Sequence, residues 1–294
     1  MDVSIIIVNY NTKNLLRNCL TSIFEKTSDV LYEVIISDNG STDGSIEMIK
    51  KDFPQVMLIE NKSNLGFGRA NNIARKKASG KYVFYLNSDT VLINNAVKLF
   101  YDYWELSTKN IGALGTQLLD QNLENNYSYG FFPSYLRSFV LLINFILDSI
   151  NLKTIFRKFR KSKKISSYFG EVDYIIGADL FMKNNELADF DEQFFLYYEE
   201  TDLQYNLSQN GYSRLLIEGP KIIHLSGASD DNIKKRYSFR KLSSIYGWDS
   251  CLKYLKKNNN IKILYWVFRI LIKCIYCLPQ NIMFYKKNKM KVTF

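Results

Sequence analysis

Over its first 115 positions the chain alternates short apolar runs with amphipathic stretches of about ten to fifteen residues. Val3–Val8 is a continuous apolar run, the pattern of a strand covered on both faces. Asn9-Tyr-Asn-Thr12 follows, where Asn11 or Thr12 can cap a helix to about Phe24, with Leu15, Leu16, Leu20 and Ile23 on one face. Glu33–Ser37 predicts a second strand, closed by the turn-forming Asp38-Asn-Gly-Ser-Thr-Asp-Gly44 ahead of a short helix over Ser45–Asp52. Val56–Glu60 predicts a third strand, and Asn64-Leu-Gly-Phe-Gly68 opens a helix to about Lys77, stopped by Gly80. Tyr82–Leu86 predicts a central strand, which breaks off at the oxygen-bearing Asn87-Ser88-Asp89. A helix from about Asn95 to Trp104 and a strand at Ile111–Gly115 complete the pattern. Such alternation predicts an α/β fold with a doubly wound, mostly parallel sheet.

The pattern changes after Gly115. Thr116–Tyr129 predicts a hairpin or extended excursion, and the apolar Phe139–Leu147 leads into Arg157-Lys-Phe-Arg-Lys-Ser-Lys-Lys164. An apolar run followed by cations fits either shallow insertion into a membrane surface or a buried helix with a solvated basic loop. Val172–Ile176 predicts a strand, Glu199–Asn210 a helix ending at Gly211, and Arg214–Glu218 and Lys221–His224 two short strands. From Ile233 the chain predicts helices. Within Ile261–Met283, Arg269, Lys273 and Pro279 interrupt the apolar residues, which favours an interfacial amphipathic helix over a spanning one.

Charge sharpens this division. Residues 234–294 hold fifteen Lys/Arg against one acid (Asp249), a net +14, whereas the preceding 233 residues hold 24 Lys/Arg against 28 Asp/Glu, a net −4. A mildly acidic body with a basic tail predicts a polyanionic partner, either nucleic acid or anionic lipid. A hydrophobic fraction of 47% excludes wholesale disorder. The four cysteines are too scattered for a disulfide framework, and Cys274 and Cys277 form a lone C-x-x-C in an apolar stretch that fits helix packing. Met1-Asp-Val-Ser4 runs directly into an apolar strand with no basic leader, so a reducing cytoplasm is expected.

Four loops fall at the carboxyl ends of consecutive strands, where open α/β sheets bind ligands. They are Tyr10-Asn11, Asp38-Asn39-Gly40-Ser41, Asn64-Leu-Gly-Phe-Gly68 and Asn87-Ser88-Asp89. Asn64–Gly68 lacks the third glycine of a dinucleotide fingerprint, and no G-x-x-x-x-G-K-[ST] occurs. Asp89, backed by an amide and a hydroxyl, suits a hard divalent cation that also holds a diphosphate.

Five segments then carry a resemblance: Ser4-Ile-Ile-Ile-Val-Asn-Tyr-Asn11, Ile36-Ser-Asp-Asn-Gly-Ser-Thr-Asp-Gly44, Asn64-Leu-Gly-Phe-Gly-Arg-Ala-Asn-Asn72, Leu86-Asn-Ser-Asp89 and Phe190-Asp-Glu-Gln-Phe-Phe-Leu-Tyr-Tyr-Glu-Glu-Thr-Asp-Leu203. In this order the chain resembles a family 2 glycosyltransferase of the GT-A fold, and the Asn64–Asn72 loop is similar to the rhamnosyltransferase-like branch. The resemblance implies an inverting transfer of sugar from a nucleoside-diphosphate sugar to a glycan or lipid-linked glycan acceptor, in bacterial surface polysaccharide synthesis. It implies Tyr10 and Asp38 about the nucleobase, Asn64 to Asn72 (Asn64, Gly66, Phe67 and Asn71 among them) along the nucleotide and sugar, and Asn11, Asn39, Asn87 and Ser88 as further nucleotide-binding residues. Asp89 would bind Mn²⁺ or Mg²⁺ as the last residue of the family's D-x-D signature, whose first position here is Asn87. His224, the only histidine, either is structural or joins Asp89 as a ligand, as in some members of the family. Glu199-Glu200 stands where the family usually has Glu-Asp; Glu200 would be the general base, with Asp202 two residues on. Gly177, Asp179 and Tyr198 would lie on the acceptor side.

This reading divides the chain into a nucleotide-sugar half (1–115), an acceptor and catalytic half (116–232) and a basic helical extension (233–294). The extension would hold the enzyme peripherally on the anionic inner face of the cell membrane, without nucleic acid, or would pack within a homo-oligomer. A sugar-phosphate nucleotidylyltransferase is the enzymatic alternative, but its glycine-rich strand-1 loop is replaced here by Asn9-Tyr-Asn-Thr12. An anion-binding protein acting through the basic tail is the non-enzymatic one.

Overall fold

A computed structural model describes residues 1–149, 166–225, 242–259 and 261–277. The chain divides into two compact units, one formed by Met1–Phe132, Lys164–Glu192 and Glu199–Asp231, the other by Pro133–Lys163, Gln193–Tyr198 and Asn232–Phe294.

The first unit is built on the apolar runs. They become β1 (Val3–Asn9), β2 (Tyr32–Asp38), β3 (Met57–Glu60) and β4 (Tyr82–Leu86), all parallel and ordered β3-β2-β1-β4. Alternation along each strand feeds two cores, one on each sheet face. Ile5, Ile7, Tyr82 and Phe84 face one core with α1 (Lys13–Lys26), α2 (Ser45–Asp52) and α4 (Ala96–Leu106). Ile6, Val83 and Tyr85 face the other, with α3 (Phe67–Arg75) and α6 (Glu199–Gln209). Five consecutive buried residues in β4 show why it sits centrally.

The sheet continues from β4 through β10 (Asp179–Lys183), β6 (Ile111–Thr116), β11 (Ser213–Ile217) and β8 (Gly170–Glu171). β10 escapes the sequence reading and runs antiparallel between β4 and β6. The expected strand over Val172–Ile176 is shorter, reduced to β9 (Tyr174–Ile175) with β8 ending just ahead of it, and β9 pairs with β7 (Tyr129–Gly130) in a separate ribbon. The excursion after Gly115 closes as expected: Leu119 bridges Asn125, and Asp120 Oδ1 accepts from the N–H groups of Asn122 and Glu124. A further ribbon, β5 (Thr90–Leu92) with β12 (Ile222–His224), springs from the end of β4.

In the second unit, α5 (Tyr135–Ser149), α7 (Leu242–Asn258) and α8 (Lys262–Tyr276) pack with the Gln193–Tyr198 segment. Lys253 Nζ donates to Gln193 O and Ser250 Oγ to Leu196 O. The basic run 157–164 and the distal part of Ile261–Met283 lie outside the described residues, as do residues 226–241.

Gly80 permits the approach of β4 to β1. A Cβ there would stand 2.5 Å from Ser4 N and 2.7 Å from Val3 C, both backbone atoms that cannot rotate away. Gly80→Ala is expected to cost about 1–3 kcal/mol through overpacking, read as a lowered urea midpoint at constant slope. An unchanged midpoint would contradict the tight β1 contact.

Candidate active site

The carboxyl ends of β1 to β4 are joined into one rim by their side chains. At the end of β2, the fully buried Asp38 receives Asn9 Nδ2 on Oδ2 at 2.7 Å, and the N–H groups of Gly40 and Ser41 on Oδ1 at 3.0 and 2.8 Å. These charge-assisted bonds substitute for lost hydration. Asn11, at φ 54°, accepts from Thr42 N–H while its own N–H donates to Ser41 Oγ. The second loop meets the third where Asn39 Nδ2 donates to Gly66 O at 3.2 Å and approaches Asn64 Oδ1 at 3.4 Å. The first meets the fourth through Thr12 Oγ1 and Ser88 Oγ, 2.9 Å apart. Tyr10 stands 48% exposed above this network.

Asp89 and His224 meet because β5 and β12 pair antiparallel with Thr90 opposite His224, while Leu225 N–H donates to Asp89 O. His224 Nε2 lies 3.3 Å from Asp89 Oδ1, and the two side chains are only 12% and 11% exposed. Among the described residues no group of three or more His, Cys, Asp or Glu is placed to hold a metal.

Glu199 and Glu200 open α6. Three acids in its first turn lie at the positive end of the helix dipole. Gly68 of α3 sits against this turn: a Cβ there would stand 2.9 Å from Phe190 Cβ and 3.5 Å from Glu199 Cβ. Phe67 and Phe190 stack edge-on, with centroids 6.0 Å apart. Glu199 is 3% exposed and Asp202 fully buried. Glu200 is half-buried, yet its Oε2 is withdrawn from solvent without a hydrogen-bond partner among the described residues. Burial raises the Glu200 carboxyl above the ordinary range, opposed in part by backbone N–H groups of α6's first turn and Gly177.

Gly177 and Ala178 couple these parts. A Cβ on Gly177 would stand 3.6 Å from Phe67 and 3.7 Å from Glu200, while Ala178 O accepts from Asn87 N–H. The other expected residues sit deeper. Asp179 is fully buried, its Oδ2 accepting from Thr116 N–H at 2.7 Å and its Oδ1 unpartnered among the described residues, so burial holds it well above the usual carboxylate range. Asn71, 1% exposed, donates back to Phe67 O. Tyr198 belongs to the second unit, where its ring lies 5.7 Å from that of Tyr254.

Two further residues organise the site: Asn72, which the resemblance places along the nucleotide and sugar, and Gln204, which the sequence did not single out. Asn72 grips the Phe190 backbone through both its N–H and C=O, at 2.9 and 2.8 Å. Gln204 does the same for Ile175, at 2.8 and 2.7 Å, and its Nε2 also donates to Glu200 O. The available signal was spacing: Gln204 lies one helical turn after Glu200 and so shares its face.

This open sheet with polar loops gathered at its strand ends defines an α/β protein of the GT-A fold. The mannosyltransferase PcManGT from Pyrobaculum calidifontis, solved in complex with GDP-Man and Mn²⁺, shares that fold. Its TM-score is 0.52, over 97% of this chain and 83% of that one, at 13% identity. The profile of Glycosyl transferase family 2 matches residues 4–160, more than half of the chain, and the chain belongs to that family. Over 108 residues it is 34% identical to the poly(ribitol-phosphate) beta-glucosyltransferase of Bacillus spizizenii, covering 35% of this chain and 17% of that protein. Over 197 residues it is 29% identical to a chondroitin synthase of Pasteurella multocida, covering 64% of this chain and 19% of the synthase. The matched regions are thus less than a fifth of either relative's length.

Gln204→Leu keeps the volume but orphans the buried Ile175 backbone. A loss of about 1–3 kcal/mol per orphaned group is expected, measured by urea unfolding. Wild-type stability would show that Gln204 does not hold β9 to α6.

Proposed function

We propose that the chain is an inverting, metal-dependent glycosyltransferase that moves a sugar from a nucleoside-diphosphate sugar to a hydroxyl of a glycan or lipid-linked glycan in surface polysaccharide synthesis. The observation that carries this reading is the meeting of Asp89 and His224 at a rim of four tied loops. A carboxylate and an imidazole at 3.3 Å are too few for a closed structural metal site, but they fit an ion whose remaining ligands are diphosphate and water oxygens. When bound there, Mn²⁺ or Mg²⁺ neutralises negative charge on the departing diphosphate.

The chain's own residues do the rest. Tyr10 offers an exposed ring for base stacking, while the fully buried Asp38 holds Asn9 and the Gly40–Ser41 turn in place. Asn39, Asn64 and Gly66 set the third loop, and Asn87 and Ser88 set the fourth, so that both line the diphosphate and sugar. Gly177 leaves room for an acceptor beside Glu200. The acceptor oxygen attacks the anomeric carbon from the face opposite the diphosphate. The new C–O bond forms as the sugar–phosphate bond breaks, which inverts the centre. Glu200 takes the hydroxyl proton, a step worth roughly 10²–10⁴-fold, and its elevated pKa suits it to accept that proton. The form of the Asn64–Asn72 loop supports the rhamnosyltransferase-like branch, which places dTDP-rhamnose beside UDP- and GDP-sugars as a donor to assay.

Purified protein is expected to release nucleoside diphosphate from one donor of that panel with Mn²⁺ or Mg²⁺, and to stop on chelation. No release from any donor, with or without glycan acceptors, would overturn the reading. Asp89→Asn should abolish transfer, and His224→Ala should raise the metal concentration needed for half-maximal rate. Undiminished activity of Asp89→Asn in a chelator would remove the metal assignment. Glu200→Gln should lower kcat about a hundredfold or more with donor binding retained. Because the base acts ionised and its pKa is raised, wild-type kcat should fall with acidification at a higher pH than an ordinary glutamate titrates. A dead Glu199→Gln beside an active Glu200→Gln would reverse the assignment.

A further inference from the structure

The second unit carries apolar surface that its own packing does not use. α8 buries Phe268, Ile272 and Tyr276 along one stripe, with the Phe268 ring 6.1 Å from Trp248 of α7. At 3.6 residues per turn the opposite stripe is Ile263, Trp266, Val267 and Ile270, and these are 50–76% exposed. α5 repeats the arrangement: Tyr135, Ser138 and Leu142 are buried, while Leu136, Val140 and Ile143 on the other side are exposed. The two helices pack against each other. A helix face turned to water is ordinarily polar, so paired apolar faces mark a surface that is covered in use.

We propose that this surface docks on an anionic lipid bilayer, with α8 lying in the interfacial plane. Charge selects the partner: Lys262 and Lys273 are exposed at the two ends of α8, and the tail they belong to carries fifteen cations against one acid. Each cation near an anionic surface contributes attraction, which an apolar protein partner would leave unused. Trp266, with the Arg269 guanidinium 5.1 Å from its ring centre, has the amphipathic character of residues at headgroup level. Length sets the geometry. The 15 residues of α8 reach about 22 Å, short of a hydrocarbon core of about 30 Å. Among the described residues no helix is long and apolar enough to cross a membrane.

Flotation of the full chain with phosphatidylcholine vesicles, with and without phosphatidylglycerol, tests this docking. Binding should favour the acidic vesicles at least about tenfold, weaken with salt and persist in part, because the apolar component is unscreened. Ile263→Ser combined with Ile270→Ser removes only exposed side chains, so thermal unfolding should be unchanged while partitioning falls at least about tenfold. Equal binding to neutral and acidic vesicles, wild-type partitioning by the double variant, or no binding by the intact chain would each overturn the proposal. So would a dimer in sedimentation that the double substitution dissociates while vesicle binding is absent, since a second copy would then be the occupant.

Discussion

A strand buried on both faces can present polar groups only at its ends, and β4 is such a strand. Its five residues are inaccessible, packed between Phe100 and Phe181 on one side and Phe190 on the other. Asn87, Ser88 and Asp89 are therefore delivered together at its carboxyl end, where β1 and β2 also discharge Asn9 and Asp38. Parallel pairing aligns these ends, and the loops then have little choice but to bond one another. Asp38 illustrates the economics of the arrangement: a carboxylate without solvent is tolerable because three N–H donors replace its water.

The same rim contains a deliberate shortfall. Glu200 sits where the helix dipole and backbone N–H groups favour its charge, yet burial opposes that charge and prevails. Asp179, the first residue of β10, is carried further in the same direction by complete burial with a single N–H donor. Gly177 lies against Phe67 and Glu200, where a Cβ would make ordinary van der Waals contact at 3.6 and 3.7 Å.

The two units follow different rules. The first closes its apolar surface into two cores around the sheet, whereas the second leaves whole helical stripes of Ile, Leu, Val and Trp outside. Two of its hydrogen bonds hold the Gln193–Tyr198 segment, which carries positive φ at both Tyr197 and Tyr198 immediately before the α6 acids. Holding two bulky residues in that conformation is costly and needs surrounding packing, supplied for Tyr198 by Tyr254.

The sequence alone determined the alternation of strands and helices through Ile111–Thr116, the four polar strand-end loops and the helix headed by Glu199 and Glu200. Those features are local: periodicity reports which side chains are buried, and turn residues report where the chain reverses. The family's motifs added names for the roles. Tertiary structure decided what local pattern does not encode. β10 slips antiparallel between β4 and β6 although its five residues begin with a buried aspartate, and β5 with β12 are three-residue strands whose register depends on each other alone. Asp89 and His224 thus become neighbours through a pairing between distant segments, and Gln204 becomes important only because Ile175 lies opposite it. Short strands carry too few residues to announce a partner, and which distant edge each one joins is set by the closure of the whole sheet.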